Sequence, residues 1–363
     1  MIVSVIYFIV YFSIFLGLVY LLFYNRKSYT SAFTKQPRIS ILIAARNEEH
    51  SILRCLTAIE ALNYPKDKIE VLIGNDASTD NTLAIVSNFI KDKPNYRCIT
   101  ITQTIGNTRG KANVLAQLAH HATTDYFFYT DADIAVPKNW VQTMLSALDE
   151  KVGVVTGITT ITGKHFFHKM QALDWLYALG LIQVVADVKL PVTTMGNNML
   201  LRRQAYESVG GFEGIKFSIT EDIAIFNEIL SKGWEFRNIY NRDTLALSLP
   251  AGTFWQYMYQ RKRWMSGSMH LPWYMAIIFI LHSAYYPVLI PFWVHTSVAI
   301  MLGIFVLKLI FQSIFVRECL RRVNMTVPWY YYILFELYLV VSSVILIIFF
   351  FIPVKTVWKG RRY

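Results

Sequence analysis

The chain has 363 residues, of which 54% are apolar or aromatic and only 16% charged, a balance unusual for a soluble protein. The net charge of +11 fits an anionic lipid surface, a nucleotide-bearing substrate or nucleic acid, and by itself selects none of them. Cys55, Cys98 and Cys319 have neither paired metal spacing nor a disulfide framework, so they fit a reducing compartment or a core.

Residues 2–24, IVSVIYFIVYFSIFLGLVYLLFY, carry no charge and are long enough to cross a bilayer as a helix. No basic segment precedes them and no small-residue cleavage site follows, which favours a membrane helix over 1–25 rather than a cleaved signal. Arg26, Lys27 and Lys35 come next and place the central region on the cytoplasmic side by the positive-inside rule.

Residues 36–268 form the water-soluble part. PRISILIAARNE reads as a strand with a polar tip, EEHSILRCLTAIEALNY as a helix closed by Pro65, and IEVLIGNDASTDNT repeats the strand, tip and helix start. YRCITIT and YFFYTDAD supply a third and a fourth strand. This alternation predicts an α/β domain with a mostly parallel, helix-covered sheet. Such sheets bind ligands beyond the carboxyl ends of their strands, so Asp76, Asp131 and Asp133 belong to one candidate cleft.

In DASTD, Ser78, Thr79 and Asp80 suit helix capping, while Asp76 stands at the strand tip itself. Asp131 and Asp133 alternate on an extended segment and project to one side, where they can share a hard cation such as Mg²⁺ or Mn²⁺ with substrate phosphates. The bland reading of DAD is a strand ending in an Asx turn.

KHFFHKMQALDWLYALGLIQVV places an aromatic-rich helix against the bilayer interface. His165 and His168 lack third and fourth ligands for a metal. TTMGNNML reads as a tight loop, and Thr220, Glu221 and Asp222 open an amphipathic helix whose start favours acidic groups. In QRKRW, residues 260–264, basic and tryptophan side chains fit a membrane interface, and the Arg263 fork also suits a diphosphate.

After Ser268 the chain turns apolar again, with about three spans at 272–293, 296–316 and 327–352 within residues 270–353, and a basic tail at 354–363. A soluble core could not bury all these segments in a chain of this size. Three crossings put RECLRR, residues 317–322, inside and the tail outside, against the charge rule; an interfacial segment or a cytoplasmic, interface-lying tail removes the conflict. Glu336 stands out as the polar group within the spans, which gives a transport path little support.

Taken in order, SILIAARNE, GNDASTD, GKANVL, DAD, GNNMLLRR, TED and QRKRW resemble the membrane-integrated family 2 inverting glycosyltransferases of the hyaluronan, cellulose and poly-N-acetylglucosamine synthase and ceramide-glucosyltransferase branch. The resemblance implies a GT-A fold, a Rossmann-like nucleotide-diphospho-sugar transferase domain between transmembrane helices. It implies transfer of a hexosyl or N-acetylhexosaminyl group from a UDP-sugar to a hydroxyl of a membrane lipid or growing glycan.

By resemblance, Asp76 contacts the uracil, Ala44 and Glu48 shape the nucleotide pocket, and Lys111 lies near the nucleotide. Asp131 lies near the ribose and diphosphate and Asp133 holds Mg²⁺ or Mn²⁺, with Asp131 beside it in the metal set. Asp222 is the implied general base, with Glu221, Gly196 and Asn197 on the acceptor side and Gln260, Arg263 and Trp264 at the leaving diphosphate and acceptor. The family often has two acids where this chain has Asn75 and Asp76, which leaves base selection open.

The expected setting is a multi-pass protein of the cell membrane with a cytoplasmic catalytic domain and no nucleic-acid partner; a homo-oligomer or an export partner stays open. The competing reading is a noncatalytic glycan-assembly or glycan-binding subunit, against which Asp133, Asp222 and Arg263 are all present.

Overall fold

The computed structural model describes residues 1–30, 33, 35–268, 271–353, 357, 358, 361 and 362. The chain opens with helix α1 (Ile2–Tyr24), apolar throughout, which buries Phe8, Tyr11, Phe15, Val19 and Leu22 along one stripe. Alternation follows: β1 (Ile39–Ala45), α2 (Ile52–Glu60), β2 (Ile69–Asn75), α3 (Thr82–Ile90), β3 (Tyr96–Thr100), α4 (Gly110–His121), β4 (Tyr126–Asp131) and α5 (Trp140–Ser146). Next come β5 (Val152–Thr156), β6 (Ile158–Ile161), α6 (Phe166–Asp187), β7 (Asn198–Arg202), α7 (Arg203–Glu207), α8 (Gly211–Gly214), α9 (Glu221–Ser231), β8 (Glu235–Asn238) and β9 (Leu245–Ser248).

Seven strands form one sheet in the order β3-β2-β1-β4-β7-β5-β8. β1, β2, β3 and β4 run parallel, and β7 runs antiparallel to both β4 and β5. β1 and β2 are mostly apolar and buried because both faces of the sheet are covered, with Ser40 and Glu70 as polar breaks that bond each other. On one face, Ile52, Cys55, Leu56 and Ile59 of α2 pack with Trp140 and Met144 of α5; on the other, Val114 and Leu118 of α4 pack with Phe226 and Ile229 of α9. β6 and β9 form a separate parallel pair that carries the chain towards the membrane helices.

The remaining helices are α10 (Phe254–Ser268), α11 (Trp273–Ser283), α12 (Tyr285–Trp293), α13 (Val298–Arg322) and α14 (Tyr330–Phe351). Four helical stretches, α1, Trp273–Trp293 across α11 and α12, α13 and α14, are long and apolar enough to cross a membrane. Val357–Trp358 pairs antiparallel with Arg361–Arg362. The rest of the basic tail, and with it the expectation that the tail lies at the interface, falls outside the described residues.

α6 does more than lie along a surface. Leu173, Tyr177, Leu181 and Val184 pack into a cluster with Phe15, Phe315 and Phe335 of α1, α13 and α14. Trp175, Ala178, Leu179 and Ile182 occupy another face and line a cleft in the α/β domain, so the helix joins the apolar helical bundle to that cleft.

Glu336 is not alone in the spans. Lys308, in the middle of α13, is a second charge, and its ammonium pairs with the Glu336 carboxylate, which also accepts from the Tyr286 hydroxyl. Both charged side chains are buried. An apolar window hides one lysine well, which is why the pair is inconspicuous in the sequence.

Candidate active site

Beyond the carboxyl ends of β1, β2 and β4 lies a cleft of about 470 Å³. Ala44, Glu48, Asp76, Lys111, Asp131, Asp133, Gly196, Asn197, Glu221, Asp222, Gln260, Arg263 and Trp264 all line it. The structure therefore brings every site residue singled out in the sequence to one place, from segments that span more than half the chain.

Just past β2, the Asp76 N–H donates to the Ala45 carbonyl at 2.9 Å, tying the tip of β2 to the end of β1. Arg46 Nη1 donates to the Asp76 carbonyl at 2.6 Å and stands 3.8 Å from its carboxylate. The Glu48 N–H donates to Thr82 Oγ1 at 2.7 Å, and its carboxylate accepts from Ser51 Oγ at 2.7 Å. Asp80 is a cap: its carboxylate accepts from the N–H groups of Thr82 and Glu49 at 3.0 and 3.1 Å.

Lys111, in the first turn of α4, lies between the two acidic halves of the cleft. Its Nζ is 2.6 Å from Asp131 Oδ1 and 3.3 Å from Glu221 Oε1. Burial alone lowers a lysine pKa, but Asp131 and Glu221 outweigh it and hold Lys111 above the usual range. Burial raises Glu221, with Lys111 opposing and Asp222 adding to the rise.

Burial first, then the charge of Asp131, pushes Asp133 up to about 6. Ser248 Oγ donates to its Oδ2 at 3.4 Å, and Arg54 of α2 fixes the loop by donating to the Asp133 and Leu247 carbonyls at 3.0 and 2.9 Å. Among the described residues no group of three or more His, Cys, Asp or Glu side chains is placed to hold a metal. The protein offers two carboxylates, one desolvated and short of positive charge. That donor set fits a hard divalent cation which takes its remaining oxygens from phosphates and water.

At the start of α9, the Asp222 carboxylate is held at both oxygens. Gly196 N–H donates to Oδ2 at 2.8 Å and Ile223 N–H to Oδ1 at 2.9 Å. Asn197 Oδ1 accepts from Thr159 Oγ1 at 3.0 Å. Asn198 is structural: it bonds Trp140 Nε1 and the Ile158 and Thr244 carbonyls and is fully buried. Arg46, Arg109, Ser248 and Arg261 line the cleft as well. Arg46 and Arg261 lie inside segments that stand out in the sequence, the AARNE tip and QRKRW; Arg109 and Ser248 depend on long-range packing.

A parallel core ending in acidic tips, an antiparallel β7 and a cleft walled by α6 and α10 define a GT-A fold. The architecture matches a mannosyltransferase from Pyrobaculum calidifontis, solved in complex with GDP-Man and Mn²⁺, with a TM-score of 0.54 at 18% identity over 88% of this chain and 98% of that one. The chain belongs to glycosyl transferase family 21, which it matches over residues 5–363.

It is 28% identical over 276 residues to a poly-beta-1,6-N-acetyl-D-glucosamine synthase of Staphylococcus aureus (strain COL), covering 72% of this chain and 64% of that protein. It is 27% identical over 252 residues to a probable glycosyltransferase, YdaM, of Bacillus subtilis (strain 168), covering 65% of this chain and 56% of that protein. The chain thus spans less than two thirds of the length of these relatives.

Proposed function

We propose that the protein transfers a sugar from a UDP-sugar to a hydroxyl acceptor at the membrane, with inversion at the anomeric carbon. The acceptor oxygen attacks that carbon as the bond to the diphosphate breaks; UDP leaves and the acceptor proton passes to Asp222. One displacement inverts the centre and needs no covalent sugar intermediate. The observation that carries this reading is the Asp222 carboxylate, fixed by two backbone N–H groups in the cleft that also holds Asp131 and Asp133.

Ala44, Glu48 and Asp76 bound the nucleotide end of the cleft, and Lys111 and Asp131 lie towards the phosphates. Asp133, with Asp131, would hold Mg²⁺ or Mn²⁺, which supplies charge neutralisation at the diphosphate. Arg263 offers a planar fork of donors to the same group, and Gln260 and Trp264 sit beside it on α10. Gly196, Asn197 and Glu221 form the floor around Asp222. The catalytic unit is residues 36–268, facing the cytoplasm, with the apolar helices in the cell membrane.

Trp175, Ala178, Leu179, Ile182 and Leu271 give the acceptor end an apolar wall. Ile182 and Leu271 continue into the cluster of Val185, Val192 and Met275, where α6 meets α11. That wall favours a lipid hydroxyl. Polymer synthesis is the second reading, favoured by the name of the Staphylococcus aureus relative.

Membranes containing the protein, incubated with a panel of labelled nucleotide sugars, test both. One labelled lipid supports single transfer, and a ladder of products supports polymerisation. Asp222→Asn is expected to abolish transfer while UDP binding persists; turnover retained by the purified variant would overturn the role given to Asp222.

A further inference from the structure

Between Gln260 and Arg263, the QRKRW segment carries Arg261 and Lys262. The interface reading of this segment makes Arg261 a surface charge, but the structure does not place it there. Its side chain is 15% exposed, and its Nη2 meets Asp174 Oδ2 of α6 at 2.5 Å, across 87 residues of chain. The guanidinium lies 4.9 Å from the Trp264 ring and 5.3 Å from the Tyr257 ring. Trp264 stands edge-on to Trp175, the neighbour of Asp174, with ring centroids 4.7 Å apart.

Gln260, Arg261, Arg263, Trp264 and Gly267 are spaced as one face of a helix. At Gly267 that face closes on the acidic end of α9: an added Cβ would stand 2.7 Å from Thr220 Cγ2, two residues before Asp222. On its other side α10 packs on α14. Tyr257 Oη bonds Tyr338 Oη at 2.9 Å, Lys262 Nζ donates to the Ile352 carbonyl at 2.5 Å, and the Trp255 and Tyr259 rings pack on Phe349. The Arg261 pair is what ties α6 to α10. Among its described side chains only Tyr257, Met258 and Gly267 are buried.

A desolvated arginine–carboxylate pair adds little net stability, yet it heavily penalises any arrangement that parts the two charges. It therefore selects one rotation and height of α10 against α6. We propose that Asp174 and Arg261 are positioning residues for transfer: their pair sets α10 so that Arg263 and Trp264 face the cleft beside Asp222. This rests on the glycosyltransferase reading for its kinetic consequence, but its structural consequence stands apart from it.

The test uses the full-length protein in nanodiscs, with Asp174→Asn, Asp174→Glu and Arg261→Lys. Asp174→Asn is expected to lower kcat by about tenfold or more and to weaken UDP affinity by a smaller factor, because Arg263 moves with α10. Amide hydrogen exchange should quicken over residues 254–267, while β1, β2 and β4 keep wild-type protection. Asp174→Glu should recover most of kcat, and Arg261→Lys, which keeps the charge without the fork, should fall between the two.

A folded Asp174→Asn protein with wild-type kcat and wild-type exchange over 254–267 would overturn the proposal. So would a loss of UDP affinity equal to the loss of kcat, because it would locate the effect in the donor pocket. If Asp174→Asn does not fold, Arg261→Lys is judged by the same readouts. If wild-type protein transfers no sugar from any donor, the function assigned above fails, and the exchange measurement still decides the pair.

Discussion

Gly196 and Asp222 meet through a single hydrogen bond of 2.8 Å, from the glycine N–H to Oδ2, in a space that admits no side chain at the glycine. A Cβ built on Gly196 would stand 2.8 Å from the Asp222 Cβ and 3.1 Å from Oδ2. Gly196→Ala therefore has to move the carboxylate or the loop. A shift of about 1 Å in a reacting group can cost on the order of a hundredfold, and that loss is expected in kcat with UDP affinity unchanged. Steady-state kinetics with a binding measurement checks it.

Asp133 carries a carboxylate that burial and Asp131 make costly to ionise. Chelation with EDTA should stop transfer, and added Mn²⁺ or Mg²⁺ should restore it. Asp133→Asn should lower turnover by about a hundredfold or more, since cation stabilisation of a leaving diphosphate is worth several kcal/mol. Full activity in EDTA would remove the cation from the mechanism.

Lys308 and Glu336 are paired and buried in the helical bundle, so each depends on the other. Lys308→Met leaves a buried carboxylate without its partner, at a cost of about 3–5 kcal/mol, and should deplete the protein from membranes. Lys308→Met with Glu336→Leu should return close to wild type, because an apolar pair of similar volume packs without desolvating charge. Membrane yield and the unfolding midpoint in detergent separate the three proteins.

Asp187 ends α6 in a buried position, where its carboxylate accepts from Gln183 Nε2 at 2.8 Å. Burial raises its pKa from 3.8 to about 6, with the Gln183 bond, Arg322 and Lys27 opposing. A raised carboxyl pKa means the protonated form favours the fold; that contribution is complete below 3.8 and is lost as pH rises through about 6. At neutral pH the ionised group then costs on the order of 1–3 kcal/mol. Asp187→Asn should raise the melting temperature at pH 7.5 and give no gain at pH 4. A gain of equal size at both values would sink this account.

Much of the site was legible because its parts are local. Asp76 and Asp131 sit at strand tips that an apolar run followed by a polar break announces. Asp133 lies past the end of β4 in a turn closed by the Ile134 N–H to Asp131 carbonyl bond, so it reaches the cleft by that turn and not by the strand alternation expected from the sequence. Their partners were not legible. Arg54 reaches the Asp133 carbonyl across 79 residues, and Ser248 reaches its carboxylate across 115. Nothing in either segment's own pattern encodes a contact at that separation.

By itself, the sequence determined the apolar helices, the alternating strands and helices of the central domain, and the acids at the strand ends, since hydrophobic period and turn chemistry act over a few residues. Only the tertiary structure decided that Lys111 would stand between Asp131 and Glu221, that Arg261 would turn inward to Asp174, and that Lys308 would meet Glu336. The physical reason is desolvation. A charge removed from water needs a specific partner, and that partner is fixed by how distant elements pack, not by what lies beside it in the chain.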